Sequence, residues 1–373
     1  MIPVVRLACP SYREAAAAVE RALDALVPAG PFAARGEPLL IKPNLLAAHP
    51  ADAAVTTHPA VVEAALRAAS DLGARPVVAD SPGLGSVEKV ARVCGVAQVC
   101  RRHGVPLLDL GRGEGKEVSG RTYKGFQLAR DAVEARWMWN LPKWKTHSMM
   151  ALTLGVKNLY GCVPGKTKIA LHFRAGADPS AFARHLLDLW DLLRPQLTLL
   201  DGVAAMEGAG PSRGRPVARG LVLASPDAVA LDWEAARLSG MAPGEVPTVQ
   251  ASLETGLLDP DRVEVLGDPA QPLPFAPAPG SPADWPLPRF VKRRVRRALS
   301  PAPRHRAGPC TGCGVCVEAC PSGALRPGTP PELAQEACIR CYCCQELCPA
   351  GAVDVPRRGM GRLVSLFGRG SRP

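Results

Sequence analysis

Eight cysteines near the C-terminal end fall into two runs. The first is Cys310-Thr-Gly-Cys313-Gly-Val-Cys316-Val-Glu-Ala-Cys320-Pro321. The second is Cys338-Ile-Arg-Cys341-Tyr-Cys343-Cys344-Gln-Glu-Leu-Cys348-Pro349. Each reads C-x2-C-x2-C-x3-C-P, the spacing with which thiolates hold cubane iron–sulfur clusters. Paired C-x2-C also binds zinc. The third cysteine at +3 and the C-x3-C-P ending, both duplicated, favour iron–sulfur. Cys343 has Arg340 and Glu346 three residues away on either side, so one register works and Cys343 is left as a free thiol.

A second group of residues suits anion chemistry. Lys42, Lys143, Lys145, Lys157, Lys166 and Lys168 fall in loops or strand ends rather than on helix faces. Lysine is rarely buried without a partner, so lysines gathered at strand ends imply a bound carboxylate, phosphate or sulfur oxyanion. The competing reading is a structural ion-pair network with Asp80, Asp201, Glu207, Asp227 or Asp232. His147 and His172 suit general acid catalysis near neutral pH, matching a proton to an electron. A divalent metal on these histidines with Asp201, Glu207 or Asp232 lacks any ligand motif. The residues assigned to catalysis are Lys143, Lys145 and His147. Those assigned to substrate binding are Lys42, Asn44, Asp80, Lys157, Asn158, Lys168, His172, Asp201 and Glu207.

Two motifs fall short. Gly161-Cys-Val-Pro-Gly165-Lys166-Thr167 has three residues between its glycines where a phosphate-binding P-loop needs four. Gly83-Leu-Gly85 lacks the third glycine of a dinucleotide fingerprint. Cys162 could react, but a small buried apolar cysteine is the commoner case. Cys9, Cys94 and Cys100 read as structural.

Positioning such groups takes a scaffold. Short apolar runs at Leu39–Ile41, Pro76–Ala79, Pro106–Leu110, Leu197–Leu200 and Leu221–Ala224 alternate with helical stretches at 11–27, 60–73, 87–103, 179–194 and 226–239. That alternation predicts an α/β body with a largely parallel sheet and flanking helices. Ligands of such sheets bind outside the carboxyl ends of the strands. Lys42 to Asn44, Asp80 and Asp201 sit there.

The expected organisation is an α/β domain over 1–268, a Pro-rich basic linker over 269–308, a small α+β ferredoxin-like domain over 309–355 and a basic tail over 356–373. Eleven prolines fall in residues 269–309, enough to stiffen a connection. Within it Val291, Val295, Ala298 and Leu299 recur with helical period, giving a short basic amphipathic helix. Residues 286–309 carry eight Lys or Arg and residues 355–373 five, with no acid in either. These thirteen charges exceed the net +11, so the remainder nets −2. Basic character confined to linker and tail argues against nucleic-acid binding. It leaves room for contact with an acidic protein or an anionic membrane surface. Cysteines in cluster spacing suit a reducing compartment. With neither a signal-peptide pattern at the N-terminus nor an apolar run long enough to span a bilayer, a cytoplasmic location is expected.

The C-terminal stretch 309–355 is similar to bacterial two-cluster ferredoxins, in which the fourth cysteine of each run ligates the other cluster. The similarity implies two [4Fe–4S] clusters, one on Cys310, Cys313, Cys316 and Cys348, the other on Cys338, Cys341, Cys344 and Cys320. Ahead of it stand Ile41-Lys-Pro-Asn44, Thr56-Thr-His-Pro59, Asp80-Ser-Pro-Gly83, Leu141-Pro-Lys-Trp-Lys-Thr-His147, Leu154-Gly-Val-Lys-Asn-Leu-Tyr-Gly161, Asp201-Gly202, Met206-Glu-Gly-Ala-Gly-Pro211 and Ser225-Pro-Asp227 with Asp232. In this order, over about 35–240, they resemble the family called "domain of unknown function 362". That resemblance implies an iron–sulfur protein and gives no residue a catalytic role. The expected function is transfer of low-potential electrons to or from a small anionic substrate on the α/β domain, as an iron–sulfur oxidoreductase. The alternative is a non-enzymatic ferredoxin-like subunit whose large domain docks a redox partner protein. A third reading, a ligase or transferase with structural or regulatory clusters, stands behind both.

Overall fold

The computed structural model describes residues 1–83, 85–165, 167–168, 171, 175, 178–281 and 301–356. The basic helix expected at 289–299, the tail beyond 356, Lys166 and His172 lie outside the described residues.

The strands are β1 (Ile2–Ala8), β2 (Pro38–Pro43), β3 (Arg75–Asp80), β4 (Leu107–Asp109), β5 (Gly115–Val118), β6 (Phe126–Ala129), β7 (Met138–Leu141), β8 (Lys143–His147), β9 (Ala151–Thr153), β10 (Leu197–Glu207), β11 (Arg215–Ser225) and β12 (Val263–Gly267). All but β5 and β6 form one sheet in the order β12-β1-β11-β10-β7-β2-β3-β4, with β8 on β10 and β9 on β8. From β10 to β4 every neighbouring pair is parallel. β11 runs antiparallel between β10 and β1. The architecture is thus a mostly parallel mixed sheet with flanking helices.

Strand periodicity sorts the core into two layers. Leu39 and Ile41 face one way and pack with Val78, Trp139 and Leu141 under the helices Ala15–Leu26, Pro59–Asp71 and Val87–Cys94. Leu40 faces the other way, with Ala79 and Met138, under the helices Pro179–Leu193 and Ala228–Leu238. The caps are local: Ser86, Asp178 and Asp227 side chains accept from the first-turn N–H groups of their helices.

Several expectations shift. The helix expected over 87–103 is two helices, Val87–Cys94 and Val96–Arg102, because Gly95 adopts φ +89° and ends the first. Of the lysines expected in loops or at strand ends, Lys143 opens β8, Lys145 lies inside it, and Lys157 sits on the single-turn helix Gly155–Asn158. β1 and β12 lacked a recognised signal. Strand β10 extends seven residues past Leu200.

The C-terminal module holds two short antiparallel pairs, Arg304–His305 with Val353–Asp354 and Leu325–Arg326 with Glu332–Leu333. Two single-turn helices, Val315–Glu318 and Cys343–Glu346, each begin just before the third cluster-spaced cysteine of a run. Its first strand precedes the expected boundary at 309. The module packs on the α/β body: Arg213 donates to the carbonyls of Val353 (2.8 Å) and Cys348 (2.9 Å), and Ser148 Oγ donates to Gln345 Oε1 (3.2 Å).

Candidate functional site

The cysteines sort into two sets. Cys310, Cys313, Cys316 and Cys348 line one cavity of about 240 Å³. Around the second site burial, and then the thiols of Cys341 and Cys320, push Cys338 up. Cys344 is pushed up by burial and then by Cys341, Cys338, Cys316 and Cys320. Cys348 therefore stands with Cys310, Cys313 and Cys316, Cys320 stands near Cys338 and Cys344, and the two sets adjoin. The fit to iron–sulfur groups rests further on the backbone. The N–H of Ala352 donates to Cys348 Sγ and that of Ala324 to Cys320 Sγ, both at 3.2 Å and both four residues past the fourth cysteine. Such donors stabilise ligand thiolates.

A larger cavity of about 800 Å³ opens between the body and the module. Lys42, Asn44, Asp80, Lys145, His147, Lys157, Asn158 and Lys168 line it from the body. Cys343, Glu318, Glu346 and Leu347 line it from the module. Eight of the residues assigned to catalysis or substrate binding thus meet in one place, at the carboxyl ends of β2 and β3 as α/β sheets dictate.

Each of these side chains is held by specific partners. Lys42 is the penultimate residue of β2 and Asp80 the last of β3, parallel neighbours, and their side chains meet: Lys42 Nζ lies 2.6 Å from Asp80 Oδ1 with neither side chain appreciably exposed. Asp80 Oδ2 also accepts the N–H of Leu45 at 2.7 Å. A Cβ on Gly161 would fall onto both Asp80 Oδ1 and Lys42 Nζ, so any side chain there must displace the pair. Lys168 donates to Ser81 Oγ at 2.7 Å and to the carbonyls of Ser81 and Pro82. Lys145 donates to Asn44 Oδ1 (2.9 Å) and Val55 O (2.7 Å). Asn44 Nδ2 donates to Asn158 Oδ1, and Asn158 Nδ2 to Asn140 Oδ1, completing an amide chain behind the lysine. Asp232 accepts the N–H groups of Gly155 (2.6 Å) and Val156 (3.0 Å), fixing the turn that carries Lys157 and Asn158.

The electrostatics follow from burial. Desolvation, then the neighbouring ammonium groups of Lys157 and Lys143, bring Lys145 down to about 7. Desolvation brings Lys168 down to about 8, against Asp80, and lowers Lys157, against Glu346. His147 Nδ1 accepts from the backbone N–H groups of Met149 (3.0 Å) and Met150 (3.1 Å), which assigns its proton to Nε2. Nε2 lies 2.8 Å from Glu346 Oε1 of the module. Burial lowers His147, so the neutral form is favoured.

Three assigned residues lie elsewhere. Lys143 Nζ is committed to Asp201 Oδ2 and to Tyr12 Oη, both at 2.7 Å, with Tyr12 stacked on His58. Asp201 also accepts the His58 N–H. Glu207 accepts the Ala276 N–H and pairs with Arg215. Lys143, Asp201 and Glu207 form structural networks outside the cavity. Cys343, the surplus thiol, lines the cavity. Its hydrogen bond to Cys341, then burial, hold it well above the usual thiol range. Cys162 is buried, and desolvation raises it to about 12. Thr153, Tyr160, Glu346 and Leu347 also line the cavity, and no spacing in the sequence singled them out.

Comparison with known proteins places two family models on the chain. "Domain of unknown function (DUF362)" matches residues 39–237, and "4Fe-4S dicluster domain" matches residues 309–352. The thylakoid-associated protein sll1697 of Synechocystis sp. is 33% identical over 282 residues, 74% of this chain and 87% of that protein. Among solved structures, the lactate racemase apoprotein from Thermoanaerobacterium thermosaccharolyticum aligns with a TM-score of 0.42 and 13% identity, over 64% of this chain and 57% of that one. Among the described residues no helix is long and apolar enough to cross a membrane.

Proposed function

The chain belongs to the family described as "Domain of unknown function (DUF362)" and carries a ferredoxin-like iron–sulfur domain, and from that premise we propose that it transfers low-potential electrons between two [4Fe–4S] clusters and an anionic substrate in the cavity between body and module. The carrying observation is that this one cavity takes four lysines from the α/β body and Cys343, the residue between two cluster-spaced cysteines, from the module. The clusters, held by the two cysteine sets, supply single electrons at low potential.

The protein's own groups supply the rest. Lys145 and Lys157 attract the anion. Lys145, at about 7, holds a proton it can give up near neutral pH, which suits it to protonate a reduced substrate. His147 binds Glu346, keeping body and module together around the ligand. Val315, Ala319, Pro321 and Leu347 close the module side with apolar surface and exclude water. The cavity favours this reading over a purely docking role for the large domain, which needs no interior chamber.

The test is anaerobic reduction of the purified holoprotein, followed by stopped-flow recording of reoxidation by a panel of small organic anions. Reoxidation that saturates with one anion class, and that slows in Lys145→Met, supports the reading. Clusters that no anion in the panel or in a metabolite extract reoxidises overturn it. A stoichiometric acidic partner retained at low salt and lost at high salt would instead favour the docking subunit.

A further inference from the structure

We propose that Lys145, Thr153 and Lys157 form the head-group subsite of the cavity, taking the carboxylate or phosphate-type group of an organic oxyanion whose apolar body points toward the module. The inference deepens the substrate-site reading of this cavity and rests on it.

Strand register brings the first two together. β8 and β9 are antiparallel with Lys145 directly opposite Thr153, a pairing that sets Cβ atoms about 5 Å apart on one face. Lys157 follows Thr153 by four residues, across the turn that Asp232 fixes. All three line the cavity, and Lys145 and Lys157 lie within electrostatic reach of each other.

Each keeps hydrogen-bonding capacity to spare. Thr153 is 4% exposed, and its Oγ1 has no hydrogen-bond partner among the described residues. A buried hydroxyl left unpaired is costly, and its persistence at a cavity wall points to a ligand. Lys157 Nζ makes no hydrogen bond or ion pair among the described residues. It stands 5.6 Å from the ring centroid of Tyr160 and 5.5 Å from that of Phe182. Lys145 spends two of its three N–H groups on Asn44 and Val55 and keeps one. Lys42 and Lys168 are engaged by Asp80 and by Ser81 with Pro82, so the cavity's free donors concentrate at this corner.

The opposite wall fixes the orientation. It presents Val315, Ala319, Pro321 and Leu347 with Glu318, while Glu346 lies toward the body, against His147 and within electrostatic reach of Lys157 and Lys145. The apolar side chains accept a hydrocarbon, and Glu318 repels an oxyanion. An amphipathic acid therefore lies with its head on the body and its body against the module. A cavity of about 800 Å³ is within the range that buries a ligand of drug or cofactor size, roughly 300–1,000 Å³.

Calorimetric titration of the cluster-replete full chain with acetate, butyrate, hexanoate, octanoate and octyl phosphate tests this without any electron transfer. Affinity should rise with chain length, by up to about fourfold per buried methylene. Lys157→Met and Thr153→Val should each weaken every chain length by a common factor, about tenfold for the lysine. Leu347→Asn should flatten the chain-length dependence and spare butyrate. The tighter of octanoate and octyl phosphate identifies the head group. Affinity independent of chain length, or octanoate binding unchanged in both Lys157→Met and Thr153→Val with cluster absorbance intact, overturns the subsite. Oxyanion binding at this corner without reoxidation of the clusters would keep the subsite and remove the reductase. Reoxidation by an anion that binds Lys157→Met normally would do the reverse.

Discussion

His147 of strand β8 and Glu346 of the cysteine module meet at 2.8 Å, Nε2 to Oε1, across the boundary between the two parts of the chain. Nδ1 is occupied by the N–H groups of Met149 and Met150, so Nε2 carries the proton and lies beside the carboxylate, an ion-pair approach without hydrogen-bond alignment. A residue that the sequence offered as a proton donor to substrate is thus also the pin that holds the module over the cavity.

Removing that pin has a predicted cost. Glu346→Ala removes the module's carboxylate from beside a buried imidazole, and about 1 kcal/mol of stability should be lost. The pH dependence follows from the lowered His147 value, caused first by burial and next by Lys157, against an ordinary value of 6.5. A depressed folded-state value means the contribution is complete above 6.5 and is lost as pH falls through and below it. Urea midpoints of the wild type should therefore drop between pH 7.5 and 5.5 by more than those of His147→Asn. Parallel drops would show that His147 has the same proton affinity folded and unfolded, so that burial does not depress it.

Arg213 is the second fastener. Its guanidinium binds the carbonyls of Cys348 and Val353, so Arg213→Met should release the C-terminal strand of the module. Amide exchange at Ala352 to Asp354 should rise, by about tenfold or more for two lost charge-assisted bonds, while exchange in strands β2 and β3 stays unchanged.

Gly161→Ala tests the buried pair beneath the cavity. The added methyl would fall onto both Lys42 Nζ and Asp80 Oδ1. Prising apart a buried ion pair costs about 3–5 kcal/mol. A fall in Tm of many degrees is expected, against a small effect for Gly308→Ala, where a Cβ meets nothing within 4 Å.

The sequence carried much of this because its signals are local. The cysteine spacing is itself a geometric statement, and each run forms its own loop and single-turn helix. The alternation of apolar runs and helices fixed the sheet type, and strand-end residues such as Lys42 and Asp80 fell at the cavity as topology requires. What failed was non-local. Lys143 and Lys145 are two residues apart on one strand, yet one is spent on Asp201 and Tyr12 while the other lines the cavity. Nothing between them in sequence distinguishes those fates; the register with β10 does. Glu346 and Leu347 were hidden for a similar reason, since they matter only once the module is docked. Thr153 is recognisable only as a buried hydroxyl lacking a partner.

The two cysteine sets make separable predictions. If each run lends its fourth cysteine to the other's cluster, the holoprotein contains about eight iron and eight sulfide. Cys348→Ser should then impair the site of Cys310, Cys313 and Cys316, and Cys320→Ser that of Cys338, Cys341 and Cys344. Each should lower iron toward about half. Cys343→Ser should leave iron content unchanged, because Cys343 faces the cavity. Metal analysis with electron paramagnetic resonance of the reduced protein reads the outcome. Loss of iron in Cys343→Ser, or retention of two zinc ions without sulfide in the wild type, would refute the assignment.

Lys145 gives the sharpest pH prediction. Burial, then Lys157 and Lys143, depress it from 10.5 to about 7. Its stabilising contribution is therefore complete above 10.5 and is lost progressively as pH falls toward 7. In Lys145→Met that titration is absent. Stability of the wild type relative to the variant should rise between pH 7.5 and 9.5, with a slope approaching about 1.4 kcal/mol per pH unit. Saturating an oxyanion at the Lys145 corner should oppose this, because bound negative charge favours the ammonium form and moves its titration to higher pH. The difference in denaturation midpoint between wild type and variant, followed across that range with and without octanoate, reads both effects. A flat difference without ligand would mean that Lys145 keeps its proton throughout, and the proton-donor role would pass from it.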